Sequence, residues 1–412
     1  MTSTKGREDC PFGKTPLPTL IDTLARNDPG RPFAEIATGS PGNYQYQTVS
    51  IRQFAKAIDR AAFWMEDTFG KKANSYIAYA GPQDLRYLFF LFGAVKSGNT
   101  ICRIIDLRVP KANGSLVEAY GCKSIILPSQ GPFTSMFTQT IEERGLEVVT
   151  APDSAFFLNG TPAASYPWNI APDRAKFMPY VGMQTSGTTG TPKPVLNTHG
   201  KVMAQDVFNG LPGMGQEPIA DSIFAGRRIL NTFPFFHGAG IGIMEKALIF
   251  PGTLVIPPPG LASEEAIVDM IEGRNIQIAC LPPSIVADLT KTAAGRRSLA
   301  RLEYVYTGGA ALPTEAAEIV NSKSHLIMGY GASEIGHAPT HLMDKSDSQY
   351  YKFSTLWPHE MHDRGAGMYE LVMVRKPELD DYQCVFTLFP DIKEFRTNDH
   401  FSKHPDPGKA GF

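Results

Sequence analysis

Met178-Pro-Tyr-Val-Gly-Met-Gln-Thr-Ser-Gly-Thr-Thr-Gly-Thr-Pro-Lys193 is a strand-like run that opens into a glycine- and hydroxyl-rich loop closed by a lysine. Gly187 and Gly190 allow backbone conformations closed to other residues and a close approach to a ligand. Thr185, Ser186, Thr188 and Thr189 add hydroxyl donors, and successive backbone N–H groups in such a loop form a concavity for an anion. Lys193 supplies the positive charge a polyphosphate calls for. The order Gly187-x-x-Gly190-x-x-Lys193 is not the GxxxxGK[ST] of a P-loop. An ordinary Ser/Thr/Gly-rich surface loop is the plain alternative, and the rest of the chain has to decide between them.

On both sides of this stretch the chain alternates between short β-rich runs and helical segments. Before it, strands are expected near 75–80, 100–105, 123–127 and 146–150, with helices near 83–97, 112–121 and 134–144. After it, strands are expected near 227–233, 252–256, 277–280, 302–306 and 324–328. This alternation predicts an α/β fold with two largely parallel, helix-covered sheets. A hairpin is expected around Pro41-Gly42-Asn43, and a helix from about Ser50 to Phe69 with apolar positions at helical spacing. Met368-Tyr-Glu-Leu-Val-Met-Val374 switches to β alternation and predicts a smaller β-rich part. The expected organisation is a flexible lead-in at 1–16, a first α/β subdomain at 17–174, a second at 175–345 that holds the phosphate loop, and a β-rich segment at 346–412.

Composition limits the function classes. Of 412 residues, 42% are hydrophobic and 19% charged, with a net charge of −2. No basic field invites nucleic acid or an anionic membrane, so any phosphate binding has to be local. The five cysteines (Cys10, Cys102, Cys122, Cys280, Cys384) show no CxxC spacing and suit a reducing cytoplasm. Leu85 to Val95 is too short to span a bilayer and reads as a buried helix. His359-Glu-Met-His362 lacks the spacing of a zinc motif and reads as a plain loop.

The segment Thr185–Lys193 resembles the signature loop of the adenylate-forming superfamily of acyl-CoA synthetases, luciferases and peptide-synthetase adenylation domains. Four further segments follow in that family's order. Asn231-Thr-Phe-Pro-Phe-Phe-His237-Gly-Ala-Gly resembles its P-x-F-H segment, which implies that His237 and Gly238 lie between ATP and the acyl pocket. Tyr306-Thr-Gly-Gly-Ala-Ala-Leu-Pro313 resembles the turn against adenine, which implies roles for Gly308, Gly309 and Ala310. Met328-Gly-Tyr-Gly-Ala-Ser-Glu334 resembles x-G-Y-G-x-[ST]-E. There Gly329 and Gly331 would line the acyl pocket, and Tyr330 would offer a flat face to a purine. Ser333 would donate to the α-phosphate, and Glu334 would hold Mg²⁺. Glu394-Phe-Arg-Thr-Asn-Asp399 resembles Y-R-T-G-D, whose Asp accepts from the ribose hydroxyls, with Arg396 as a nucleotide contact. Asn398 replaces the family's Gly, and Asn is the next-best residue for positive φ. Taken singly, each of these residues has an ordinary structural reading; their order favours the functional one.

The resemblance implies ATP and Mg²⁺ as cofactors, with Lys193, His237 and Glu334 as the catalytic set. The reaction implied is activation of a carboxylic acid as acyl-AMP with loss of pyrophosphate. Gly238-Ala-Gly-Ile-Gly-Ile-Met244 carries no acidic residue to meet an ammonium. An aryl, keto or aliphatic acid is therefore expected rather than an ordinary α-amino acid. The family's C-terminal lid with its lysine is expected to be absent. Leu17-Pro-Thr-Leu-Ile-Asp and Asn398-Asp-His-Phe resemble fungal peptide-synthetase-like adenylate-forming reductases. That implies carrier (phosphopantetheine) and reductase domains as partners in a longer protein. A nucleotide-binding pseudoenzyme and a truncated stand-alone acyl-CoA ligase are the alternatives.

Overall fold

The computed structural model describes residues 6–71, 75–103, 110–129, 131–160, 164–185, 193–260 and 262–409. Two large sheets organise it. One has six strands in the order Glu147–Ala151, Ser124–Pro128, Ser75–Tyr79, Asn99–Arg103, Pro179–Thr185, Lys193–Thr198, parallel except for the last. The other has seven, in the order His325–Gly329, Tyr304–Gly308, Ile278–Cys280, Arg228–Asn231, Thr253–Ile256, Pro32–Thr38, Gln45–Ser50, again parallel except for the last. Helices cover both, as the expected fold class requires.

The sheets do not divide the chain at 174/175. The hairpin strands Pro32–Thr38 and Gln45–Ser50 join the later sheet, and the strands flanking the phosphate loop join the earlier one. A local reason is visible at Gly182, which pairs with Cys102; a Cβ there would lie 2.5 Å from Cys102 Sγ. Only a residue without a side chain lets strand Pro179–Thr185 lie against Asn99–Arg103.

Helix Ile51–Phe69 starts at a reciprocal cap. Ser50 Oγ accepts from Gln53 N at 3.2 Å, and Ser50 N donates to Gln53 Oε1 at 2.8 Å. It packs on Arg86–Ser97, whose residues from Tyr87 to Ser97 are all buried. The main core lies between the sheets and takes in these helices and Gly238–Ile249. Two smaller cores fill the outer faces, under Glu264–Gly273, Pro283–Lys291 and Thr314–Asn321 on one sheet and Pro110–Tyr120 and Phe133–Arg144 on the other.

A third, antiparallel sheet is formed by His359–Gly365, Met368–Val374 and Glu394–Ser402. The loop expected at His359–His362 is thus a strand. It pairs residue for residue with the alternating run, whose Leu371, Val372 and Met373 are fully buried. All five cysteines are buried thiols, and no described helix is long and apolar enough to cross a membrane.

Candidate functional site

The parallel strands Tyr304–Gly308 and His325–Gly329 end side by side, with Gly308 opposite Gly329. Ligands of open α/β sheets gather beyond such carboxyl ends. Here the backbone leaves no room for side chains: a Cβ on Gly308 would lie 2.5 Å from Gly329 O, and one on Gly329 would collide with Tyr306 Oη. Gly309 continues with φ +86°, and Ala310 follows, exposed.

Beyond Gly329 the chain forms a tight hairpin, Gly331–Ala332 against Gly336–His337, with Ser333, Glu334 and Ile335 in its turn. Gly331 lies so close to Gly336 O that a Cβ would come within 2.5 Å. Ser333 and Glu334 are half-buried. The hairpin rests on helix His199–Asp206: a Cβ at Gly336 would lie 2.8 Å from Gln205 Nε2 and 3.3 Å from Lys201 Cε.

That helix directly follows strand Lys193–Thr198, so the hairpin of Glu334 and the strand of Lys193 share one support. Lys193 is exposed and pairs across the ladder with half-buried Thr185. Ser186, Gly187, Thr188, Thr189 and Gly190 lie outside the described residues. Lys193 and Thr185 therefore form the neck of an antiparallel strand pair, next to the residues expected as the phosphate loop. Among the described residues no hydrogen bond or ion pair joins Lys193 to Glu334, Tyr330 or Asp399.

His237 caps helix Gly238–Ile249, with Nδ1 accepting from Ala239 N at 3.3 Å. A Cβ on Gly238 would lie 3.8 Å from Met183 Cε, which places this helix start beside strand Pro179–Thr185. Gln83 Nε2 donates to Phe233 O at 3.2 Å and ties the same segment to the six-stranded sheet.

Tyr330 and Asp399 meet directly, the phenol O–H donating to Asp399 Oδ2 at 2.7 Å. Phe401, Tyr351 and Phe353 surround the Tyr330 ring at centroid distances of 5.2, 5.8 and 6.1 Å. Burial, then Asp399, holds the Tyr330 phenol well above its usual range, so it stays a donor. Asp399 is exposed and acceptor-only, with lone pairs to spare for ribose hydroxyls.

Asp399 follows Asn398 at φ +60°, where the register between Met368–Val374 and Glu394–Ser402 shifts. The expected turn is a β-bulge inside a strand. Arg396 points to protein: its Nε donates to Glu370 Oε1 at 3.3 Å, and its Nη2 and that of Arg364 both pair with Glu370 Oε2. Asn398 N also donates to Glu370 Oε1 at 3.3 Å. Arg396 thus clamps the bulge through Glu370 while its guanidinium stays 42% exposed.

Among the described residues no three His, Cys, Asp or Glu converge as a metal cage. A single carboxylate such as Glu334 fits Mg²⁺, which keeps its waters and takes most other ligands from substrate phosphates. Sequence reasoning missed Asp221, Lys246 and His337, which lie beneath Gly329. His337 stands three residues past Glu334 and Lys246 lies further along the helix that His237 caps, but Asp221 belongs to a segment with no motif.

The chain resembles known proteins in sequence and in fold. A carboxylic acid reductase of Neurospora crassa is 28% identical over 97% of this chain and 39% of its own length. An isocyanide synthase–NRPS hybrid of Aspergillus fumigatus is 26% identical over 96% of this chain and 26% of its own length. The chain spans less than half the length of these relatives. Among solved structures, the N-terminal domain of FACL13 from Mycobacterium tuberculosis superposes with a TM-score of 0.72 at 18% identity, covering 95% of this chain and 98% of that one. The Klebsiella oxytoca NpsA N-terminal subdomain, in complex with 3-hydroxyanthranilyl-AMSN, gives 0.69 at 16% identity over 95% and 97%. At those identities the likeness is one of fold. Residues 22–359 match the family of AMP-binding enzymes, and the chain belongs to it as an adenylate-forming domain.

Proposed function

We propose that this chain binds ATP with Mg²⁺ and activates a carboxylic acid as its acyl-AMP, releasing pyrophosphate. The observation that carries the reading is the Tyr330–Asp399 hydrogen bond just past the paired strand ends Gly308 and Gly329, where three separate motifs come together. The His237 helix start and the Thr185/Lys193 neck stand on the six-stranded sheet, joined through strand Pro179–Thr185. Together these features suit a nucleotide triphosphate beside an acyl group.

Attack of a carboxylate on the α-phosphate brings two anions together, so the protein's part is orientation and charge compensation. In this reading Asp399 accepts from the ribose, and Tyr330 borders the adenosine. Lys193 and the loop residues 185–190 hold the β- and γ-phosphates, and Ser333 donates to the α-phosphate. Glu334 would hold Mg²⁺, which supplies charge neutralisation when bound. Gly329, Gly331, Gly308 and Gly238 would border the acyl group, with His237 beside it. No side-chain nucleophile is required.

An aryl, keto or aliphatic acid suits the pocket better than an ordinary α-amino acid. Residues 238–244 offer no carboxylate, and the next residue, Glu245, is buried against Lys201, Lys246 and Tyr180. The relatives support a place beside carrier and reductase domains in a longer protein. Calorimetric titration of the folded chain with ATP–Mg²⁺ and with an acyl sulfamoyl adenosine is the test. Binding of both is expected; no heat with either removes the reading.

A further inference from the structure

A buried polar chain runs beneath the glycine floor of the seven-stranded sheet. Tyr306 Oη hydrogen-bonds His337 Nε2. On the other side of the ring, His337 Nδ1 stands 3.5 Å from Asp221 Oδ2, which lies 3.4 Å from Lys246 Nζ. The four residues come from four separate elements: Tyr304–Gly308, Gly336–His337, Ala220–Phe224 and Gly238–Ile249. Tyr306, Asp221 and Lys246 are each under a tenth exposed. Burying four polar groups together is costly unless each is matched, so their arrangement has a direction worth following.

That direction can be assigned. Burial, then Lys246, pushes His337 down to about 4, so the imidazole is neutral near pH 7. A neutral ring carries one N–H; Asp221, 3.5 Å from Nδ1 with no hydrogen bond between them, is the negative charge on that side, and its field favours the proton on Nδ1. Nε2 is then the acceptor for the Tyr306 O–H, and burial keeps that phenol protonated. Tyr306 has one proton and has directed it to His337. What its oxygen still offers is lone pairs.

The oxygen lies directly under the missing side chain of Gly329: a Cβ there would strike Tyr306 Oη and come 2.9 Å from His337 Nε2. It is thus in contact with Gly329, the last residue of the strand at which the acyl group sits in the function proposed above. We propose that the chain selects carboxylic acids carrying a hydroxyl at the end remote from the carboxyl group, that hydroxyl donating to Tyr306 Oη. The inference rests on the adenylation reading and adds the substrate class. An apolar end would bury the Tyr306 acceptor without a donor. An ammonium end would meet Lys246 and Lys201, whose charges both act on His337 in the same disfavouring sense.

The test is calorimetry on the full chain with paired sulfamoyl adenosines. Benzoyl, cinnamoyl and octanoyl forms are compared with their terminally hydroxylated counterparts and with the methyl ethers of those. At least one hydroxylated analogue is expected to bind about tenfold tighter than its unsubstituted partner, and the methyl ether no tighter than that partner. Tyr306→Phe is expected to bring the pair to within about twofold.

Equal affinities within every pair on the unaltered chain overturn the inference and leave the adenylation reading standing. A methyl ether that binds as tightly as the hydroxyl form overturns it as well. Binding of ATP without any acyl analogue removes the inference alone; failure of ATP and all analogues removes both. Retention of the hydroxyl preference by folded Y306F, checked by its thermal melt, also overturns it. The comparison on the unaltered chain needs no variant to fold.

Discussion

Asp399 owes its position to one residue in a left-handed conformation. Asn398 at φ +60° turns the strand so that Asp399 reaches the Tyr330 hydroxyl. Asp399→Ala is expected to weaken ATP binding by about tenfold or more, the scale of a lost hydrogen bond to a charged group. Unchanged affinity in a titration would remove the ribose assignment. Gly329 makes the opposite kind of prediction, since it works by absence. Gly329→Ala would press a methyl on Tyr306 Oη, an overpacking cost of about 1–3 kcal/mol. Acyl analogues should then bind at least about tenfold more weakly while ATP affinity stays within about twofold. An equal loss for both ligands would mean that Gly329 serves the nucleotide side instead. Both residues were picked out by motif, Gly329 by the resemblance to x-G-Y-G-x-[ST]-E and Asp399 by that to Y-R-T-G-D.

Strand Glu394–Ser402 shows what an element adds to its residues. The register shift that exposes Asp399 is held by Glu370, buried on the neighbouring strand and shared between Arg396 and Arg364. Both guanidiniums are more than a third exposed, so the pairs matter more for position than for stability. Glu370→Gln is expected to loosen the bulge and weaken ATP roughly three- to tenfold, the scale of one hydrogen bond, with a smaller change in melting temperature. ATP affinity equal to that of the unaltered chain would show that Asp399 needs no clamp. Arg396 was expected to touch nucleotide because it sits in a nucleotide motif. Its partner, 26 residues away in sequence, is set by strand pairing, which no local pattern announces.

Across the whole molecule, the folded state depends on two histidines kept neutral by burial. His199 lies between Trp168 and Tyr180, and burial pushes it down to about 3; His337 is pushed down to about 4. A base with a lowered folded pKa contributes stability that is whole above its unfolded value, near 6.5, and is lost as pH falls below it. Going from about pH 7 to about pH 5 should therefore remove about 2 kcal/mol per histidine, read as a fall in the urea midpoint. His199→Phe should flatten part of that slope; an unaltered slope would place the proton uptake elsewhere.

The alternation of strands and helices, the glycine loop and the order of the four motifs were all readable from the chain, and they led to the fold class and to the site proposed here. They are local signals, written in residue type and spacing. Only the tertiary structure decided that strands flanking residues 186–192 belong to the earlier sheet, or that Pro32–Ser50 edges the later one. Only it joined Tyr306, His337, Asp221 and Lys246 under Gly329. The reason is physical: strand partners and buried polar chains are chosen by packing between segments far apart in sequence, where periodicity carries no information.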